Sequence, residues 1–270
     1  MKQTSILALF LALILISCEQ SEPRDFGRNG NEVLFSGRIW DVKSGFNGPG
    51  PNFFSDHVDD IYVDDEGHLH MHITERDGTW YSTEVVSRDT MGYGTYTFTV
   101  EGDFVGMPEN TVVGLFTWDN NTFFEQANSE VDIEFSKWGD DKENTLQYGV
   151  QPIAFGDYNE ERVFNPPNVA ELEGITTHMF NWTDTLITWK SFTGETTNES
   201  AKFAEWTFDL DNPARIKYEN NMESLPIIIP APGNTTNARI NFWILTFLEA
   251  GPIGGQRQEY IVHSFEYEPA

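Results

Sequence analysis

Basic residues and cysteine are scarce in this sequence. Its 270 residues contain 16 Lys and Arg against 43 Asp and Glu, which gives a formal net charge of -27 with His neutral. This balance excludes the electrostatic mode of nucleic-acid binding, which needs an excess of positive charge to contact phosphates. The single cysteine, Cys18, excludes an internal disulfide. The G-x-S-x-G, P-loop and Rossmann glycine motifs are also absent from the sequence, so these chemistries have no support in it.

The composition is otherwise that of a folded globular protein. Hydrophobic residues make up 39% and charged residues 22% of the chain, and both values exclude a disordered or fibrous protein. The 22 Gly and 13 Pro are close to the background frequency of these residues, so no low-complexity linker is expected. All-β sandwiches of roughly 200 to 250 residues commonly form one domain, and we therefore expect a single folded domain.

A long apolar run lies at the N-terminus. Residues 6–16 follow Lys2; the run is shorter than the about 20 residues that span a bilayer, but it fits the hydrophobic region of a secretory signal peptide. Residues 15–18, with the sequence Leu-Ile-Ser-Cys, resemble the lipobox of bacterial lipoproteins. The resemblance implies that residues 1–17 form a signal peptide and that Cys18 is acylated. The alternative is a plain signal peptide that is cleaved nearby, with the cysteine incidental.

The predicted signal peptide is followed by a polar segment. Residues 18–32 are predicted to be the lipidated cysteine and a flexible tether, because residues 19–25 lack an apolar period. The folded domain is then expected over residues 33–270. We expect an exported, membrane-anchored bacterial lipoprotein, at the outer membrane or the cell surface, and a monomer. Anionic headgroups would repel the acidic body, so the lipid anchor is the expected membrane contact.

The domain is predicted to be all-β. Short β-rich runs alternate with Gly, Pro, Asn and Asp, and apolar stripes of period 3.6 are almost absent. Strands without intervening helices indicate a two-sheet antiparallel sandwich. The predicted strands are residues 34–40, 68–74, 93–100, 112–118, 130–138, 145–151, 186–192, 203–208, 238–247 and 260–267.

Alternation within these runs predicts which strand faces are buried. Along one run, Tyr96, Phe98 and Val100 point to one face and the threonines between them to the other. One face of that strand is therefore expected to be solvated. The Pro-, Gly- and Asn-rich segments 45–52 and 226–237 are expected to be loops at the rim of the sandwich.

Three carboxylates follow one predicted strand. Glu130, Asp132 and Glu134 alternate with three apolar residues, so a β-strand places the acids on one face and the apolar side chains on the other. Crowded carboxylates raise one another's pKa, which keeps one acid protonated beside another that is ionised. Retaining glycoside hydrolysis needs such a pair. Two alternatives stay open, a solvated strand face and a calcium site, although calcium ligands usually come from a loop.

The same run carries a resemblance to a known family. Residues 130–134 resemble the E-x-D-x-E signature of glycoside hydrolase family 16, which includes lichenases, laminarinases, carrageenases and agarases. The resemblance implies a concanavalin A-like β-jelly roll and a retaining endo-acting glycanase. It covers about residues 68 to 267. The flanking matches are Glu84 and Ser87 with residues 93–96, then residues 114–118, 180–182, 185–189 and 241–243.

The resemblance also implies roles for individual residues. Glu130 would be the nucleophile, Glu134 the general acid/base, and Asp132 the residue that holds the nucleophile. The implied substrate is a polysaccharide, and no cofactor is expected; a structural calcium ion is not indicated. The expected substrate-binding residues are Trp118, Glu84, Gln147, Asn241 and Trp243; for the two tryptophans, packing in the core stays open as the alternative.

Two positions depart from the lichenase-like members of that family. Asn128-Ser129 stands where those members have W-x before the signature, and Val86 stands where they carry an arginine. Both positions line the sugar cleft in those members, so the sequence does not predict mixed-linkage glucan as the substrate. The E-x-D-x-E spacing also differs from that of typical laminarinases and agarases, which have one more residue.

For the remaining aromatic and histidine residues, both a functional and a purely structural role are considered. Aromatic rings stack on sugars, but Trp182 and Trp189 are predicted to pack between the sheets. His68, His70 and His72 alternate with apolar residues. They indicate either a solvated strand face or a zinc site. We favour the solvated face, so no metal site is predicted. A glycan-binding protein on the same fold and a transglycosylase remain as alternative functions.

Overall fold

The structure is a computed structural model that describes residues 31–140, 145–153, 161–167 and 172–270. The predicted signal peptide, Cys18 and most of the predicted tether lie outside the described residues. Within the described ranges, no helix is both long and apolar enough to cross a membrane.

Strands make up most of the described chain. The helical segments are short: α1 (Phe123–Gln126) and two 3-10 turns, Ala127–Ser129 and Glu199–Ala201. The strands are β1 (Glu32–Phe35), β2 (Arg38–Val42), β3 (Gly45–Asn47), β4 (Asn52–Phe54), β5 (Ile61–Val63), β6 (Leu69–Arg76), β7 (Thr79–Ser87), β8 (Gly94–Asp103), β9 (Thr111–Trp118), β10 (Val131–Ser136), β11 (Leu146–Val150), β12 (Val163–Phe164), β13 (Glu173–Trp182), β14 (Leu186–Thr193), β15 (Lys202–Asp209), β16 (Tyr218–Glu219), β17 (Met222–Glu223), β18 (Asn237–Ile244) and β19 (Gln258–Pro269).

The strands form the two antiparallel layers of a jelly-roll sandwich, which confirms the predicted fold. One layer, the cleft sheet, has the order β1-β2-β7-β18-β9-β10-β11-β12. The other, the outer sheet, has the order β5-β6-β19-β8-β13-β14-β15. The β6–β7 hairpin continues from one layer into the other. Among the described strands, only β4 and β7 pair in parallel.

The core lies between the two layers and contains the apolar faces that alternation predicts. Phe98 of the outer sheet and Ile133 of the cleft sheet are both fully buried there. Trp182 and Trp189 are also fully buried between the sheets, as predicted. Each fully buried large apolar side chain contributes roughly 1.5–3 kcal/mol to the free energy of folding. Trp189 additionally donates its Nε1–H to the backbone carbonyl of Asp132 at 3.0 Å, so the core holds the acidic strand in place.

Some predicted boundaries were wrong. Residues 34–40 are not one strand but the β1–β2 hairpin, whose turn places Ser36 and Gly37 at φ of 49° and 72°. Such left-handed turns continue the twist of the paired strands. The acidic strand begins at Val131, and Glu130 precedes it in extended conformation. The strand predicted over 238–247 ends at Ile244, where the chain turns.

Candidate active site

The three carboxylates of the acidic run lie on one face of the cleft sheet. Asp132 is paired with Phe116 of β9 and Gly149 of β11, and Glu134 with Gly114 and Gln147 of the same strands. Two of these four neighbours are glycines, so no side chains on those positions cover the acids. The intervening apolar side chains are fully buried on the opposite face. Strand alternation therefore brings the acids together on the open side of the sheet, as the sequence predicts.

The surroundings of these acids favour their neutral forms. Burial raises the pKa of Glu130, which the charge of Glu134 raises further and the charges of Lys217 and Arg239 oppose. Burial also raises the pKa of Glu134, and no cation among the described residues opposes that rise. The pKa of Asp132 is raised well above its usual value by burial and by both glutamates. Among the described residues, positive charge thus acts on Glu130 and not on Glu134, yet burial still raises the pKa of Glu130 to about 8, against about 7 for Glu134.

The acids line a cleft with a volume of about 480 Å³, which lies in the usual range for ligand pockets. Four of the five predicted substrate-binding residues line this cleft: Trp118, Glu84, Asn241 and Trp243. Gln147 is the cross-strand neighbour of Glu134 but is not among the lining residues; its Nε2–H donates to Asn165 Oδ1 at 3.1 Å.

A row of four residues crosses the floor of the cleft. Glu134, Gly114, Asn241 and Glu84 occupy neighbouring positions on β10, β9, β18 and β7. The Oδ1 atom of Asn241 is buried and has no hydrogen-bond partner among the described residues. A Cβ atom on Gly114 would lie 2.5 Å from that oxygen. The glycine therefore leaves the Asn241 carboxamide in place beside the acids, with an acceptor that a ligand hydroxyl could satisfy.

The structure adds two cations to the cleft that the sequence did not predict. Lys43 Nζ lies 2.8 Å and Arg239 Nη1 lies 3.4 Å from the carboxylate of Glu84. The Arg239 guanidinium also lies 5.5 Å from the Trp118 ring centre. In the strand pairing Arg239 is directly opposite Val86, the position at which the resemblance predicted an arginine. Arg239 could have been predicted from the sequence, because it is two residues before Asn241 on the same strand and therefore shares its face. Lys43 follows the end of β2, and no sequence pattern placed it in the cleft.

The chain enters the acidic strand through three buried residues in the left-handed region. Ala127, Asn128 and Ser129 have φ values of 49°, 64° and 54°. Such conformations are costly for residues other than glycine and need surrounding contacts to hold them. The Ser129 carbonyl accepts a hydrogen bond from Thr117 Oγ1 at 2.8 Å, and Ser129 Oγ donates to the Ala231 carbonyl at 2.7 Å. These bonds fix the direction from which Glu130 reaches the cleft.

A second group of titratable residues lies on the outer sheet, and we call it the histidine cluster. It consists of Asp64, His70, His72 and Glu259. His70 Nδ1 is 2.8 Å and His72 Nε2 is 2.9 Å from Glu259 Oε1, and His70 Nε2 is 3.0 Å from Asp64 Oδ2. His72 is buried, so the prediction of a fully wet histidine face was wrong at this position. Within the described ranges, no three His, Cys, Asp or Glu side chains are arranged to hold a metal ion.

Comparisons with known proteins identify the fold. No protein-family model matches the chain, and no curated protein matches it either. Solved structures do match. A Bacillus licheniformis β-glucanase has 16% sequence identity and a TM-score of 0.55, with 91% of this chain and 96% of that chain covered. A prokaryotic β-1,3-1,4-glucanase (lichenase) derived from a mouse hindgut metagenome has 18% identity and a TM-score of 0.55, with 92% and 98% covered.

A third match carries a bound product. It is a Bacteroides ovatus mixed-linkage glucan GH16 structure in complex with the product G4G4G3G. Its sequence identity is 14% and its TM-score 0.55, with 90% of this chain and 98% of that chain covered. The match extends over nearly the whole length of each of these proteins. The chain therefore has the jelly-roll fold seen in β-glucanase structures.

Proposed function

We propose that this protein is a retaining, endo-acting glycoside hydrolase that cleaves β-glycosidic bonds in a polysaccharide. One observation carries the proposal: Glu130, Asp132 and Glu134 line one cleft, and burial raises the pKa of each. Titratable groups perturbed in this way inside a cleft are typical of active sites. The likeness of the fold to β-glucanases supports the same reaction class but does not by itself assign it.

The proposed reaction is a double displacement. Glu134, protonated, donates its proton to the leaving glycosidic oxygen while the Glu130 carboxylate attacks the anomeric carbon. The C–O bond to the leaving sugar breaks as the bond to Glu130 forms. Glu134 then removes a proton from water, which attacks the same carbon and releases Glu130. Lys217 and Arg239 favour the ionised form of Glu130 that the attack needs, and they act against the burial that raises its pKa to about 8.

The cleft also suits a sugar chain. The rings of Trp118 and Trp243 offer flat apolar faces to pyranose rings. Asn241 Oδ1, which lacks a partner among the described residues, would accept a hydrogen bond from a sugar hydroxyl. Glu84 keeps its carboxylate at the same floor, where Lys43 and Arg239 orient it.

Two alternatives use the same cleft. A glycan-binding protein would gain nothing from three carboxylates that lose hydration and repel each other, because this arrangement costs free energy without aiding binding. The burial of Asp132, which is 4% exposed, therefore favours the enzyme. A transglycosylase would use the same carboxylates, with a sugar hydroxyl replacing water in the second step.

We further propose that the protein works outside the cytoplasm as a monomeric lipoprotein. Cys18 would carry the lipid, and residues 19–30 would separate the domain from the membrane. The support is the apolar run at residues 6–16 followed by the lipobox-like residues 15–18. A location outside the cytoplasm would expose the cleft to extracellular polysaccharides.

The test is release of reducing ends by the chain from Glu19 onwards. We would use mixed-linkage glucan, laminarin, xyloglucan, agarose and carrageenan, with Glu134→Gln as the matched control. We expect activity on one polymer that is lost in the control. If the folded wild-type protein binds one of these glycans and does not cleave it, the glycan-binding alternative is correct and the enzyme proposal is wrong.

A further inference from the structure

Lys217 lies at the base of the β16–β17 hairpin, and its backbone is held on both sides. Its N–H donates to Ser224 Oγ at 2.8 Å, and its carbonyl accepts from the Ser224 N–H at 2.9 Å. Arg215 and Ile227 pair just below, with N–H to carbonyl distances of 2.8 and 2.7 Å. The position from which the Lys217 side chain starts is therefore fixed.

The Lys217 side chain is also directed by contacts at its end. Its Nζ donates to Asn128 Oδ1 at 2.9 Å and lies 4.0 Å from the Phe123 ring centre. Asn128 is 2% exposed, and its Nδ2–H donates to the Asp119 carbonyl at 3.2 Å. The Asn128 carboxamide thus has a partner at both ends, which fixes its orientation. Asn128 lies two residues before Glu130, so this bond places the ammonium group near the start of the acidic strand.

The charges that face Glu130 come from three parts of the fold. Asp132 and Glu134 lie on β10, which follows Glu130, Arg239 extends from β18, and Lys217 comes from the hairpin. Arg239 shares its charge with Glu84. Lys217 interacts electrostatically with Glu130, with the hairpin residue Glu219 and with Asp132. Lys217 is not among the residues that line the cleft, so it can act on Glu130 without occupying space that a sugar needs.

We propose that Lys217 is a positioning residue, which, through its bond to Asn128, supplies the positive charge that holds the Glu130 carboxylate ready for attack. The inference deepens the proposed function and rests on it for the meaning of Glu130. The physical reason is that burial, together with the charge of Glu134, opposes the ionisation of Glu130. Among the described residues the charge of Lys217 acts on Glu130 and not on Glu134, so it offsets the effect of burial at Glu130.

The first test is the pH profile of kcat/KM for Lys217→Met, Lys217→Arg and the control Lys202→Met, which removes a cation from the outer sheet. We expect the acid limb of Lys217→Met to move up by about one pH unit, because loss of one nearby opposite charge shifts a carboxyl by at least that much. At pH values below the acid limb, we expect kcat/KM of Lys217→Met to be about tenfold lower than that of the wild type. This difference becomes smaller as the pH rises, and KM stays within about twofold of the wild-type value. Lys217→Arg and Lys202→Met keep the wild-type limb.

A second measurement separates this inference from the proposed function. The side-chain carboxyl of Glu130 is titrated by 13C NMR in wild type and Lys217→Met, with Glu130→Gln for assignment. We expect the Glu130 midpoint to rise by about one pH unit in Lys217→Met. If the shift occurs and no glycan is cleaved, the charge assignment stands and the proposed function fails. A loss of activity that is equal at every pH, or an unchanged Glu130 midpoint, would overturn the role of Lys217.

Discussion

The cleft carboxylates and the histidine cluster are two groups of titratable residues with opposite electrostatics. In the histidine cluster each carboxylate has an imidazole partner. Burial acts to raise the pKa of Glu259 and of Asp64, but hydrogen bonds and charges from the neighbouring histidines together outweigh it and lower both. In the cleft, Glu130, Asp132 and Glu134 face each other, and burial raises the pKa of all three. One arrangement stabilises charge, and the other penalises it.

The difference separates structural from reactive carboxylates. A carboxylate whose pKa is lowered by partners contributes to stability at neutral pH, whereas a crowded, buried carboxylate lowers stability there. Free energy spent in this way is typical of functional sites. Acid content alone would not have distinguished the two clusters, because the distinction lies in the nearest partners.

The largest effect is expected from loss of a cleft carboxylate, because the contrast between the two clusters requires these acids to be essential for activity. Glu130→Ala is expected to lower kcat by about 10⁴-fold or more, because the covalent step loses its nucleophile. Azide should restore cleavage of an activated aryl glycoside by occupying the vacated position. The measurement is the release of the aryl group with and without azide, and persistent activity without azide would contradict the role of Glu130.

The leaving group should decide how much Glu134→Gln costs. We expect a loss of about 10²- to 10⁴-fold on a polysaccharide, since its leaving oxygen needs a proton, and a much smaller loss on an activated aryl glycoside. The ratio of the two rates measures the acid role directly. Equal losses on both substrates would show that Glu134 is not the general acid.

Glu134→Gln should also change the stability of the protein, in the direction opposite to a substitution in the histidine cluster. Because the folded state raises the pKa of Glu134, its ionisation disfavours the folded state at high pH and has no such effect below the ordinary glutamate pKa. Glu134→Gln should therefore raise the free energy of unfolding by about 1 kcal/mol at pH 8, with the gain disappearing in acid. Urea unfolding at several pH values checks this, and destabilisation at pH 8 would contradict it.

The floor of the cleft offers a smaller, steric test. In Gly114→Ala the new Cβ atom would meet Asn241 Oδ1 at 2.5 Å, so the carboxamide must move. We expect kcat/KM to fall about tenfold, equivalent to one lost hydrogen bond, while the acids keep their pH dependence. Steady-state kinetics across pH checks both parts. Unchanged kinetics would remove Asn241 from the site.

The smallest effect is expected in the histidine cluster. Glu259→Gln should lower the free energy of unfolding by less than about 1 kcal/mol at pH 7, because Glu259 is 46% exposed and solvent screens its pairs. The lowered pKa means that this stabilisation exists above the ordinary glutamate pKa and is lost as the pH falls through the folded-state value. Activity should stay within about twofold. A stability gain would show that the two clusters do not differ.

Much of the fold could be predicted from local sequence patterns. Alternation along residues 96–100 predicted the buried face of β8, and alternation along residues 130–135 predicted both the core face and the acidic face of β10. Turns were harder, because Ser36-Gly37 interrupts a continuous β-rich run without proline or a second glycine. The hairpin of β1 and β2 was missed for that reason.

The sequence by itself determined the all-β class, the single face shared by Glu130, Asp132 and Glu134, and the burial of the residues between them. These follow from a period of two along one strand, which needs no distant partner. Only the tertiary structure decided which charges surround the acids. Lys217 reaches Asn128 from 89 residues away and Lys43 reaches Glu84 from 41 residues away. Electrostatic effects depend on the distance between charges in space. The order of strands in the sheet sets this distance, and no short stretch of the sequence indicates that order.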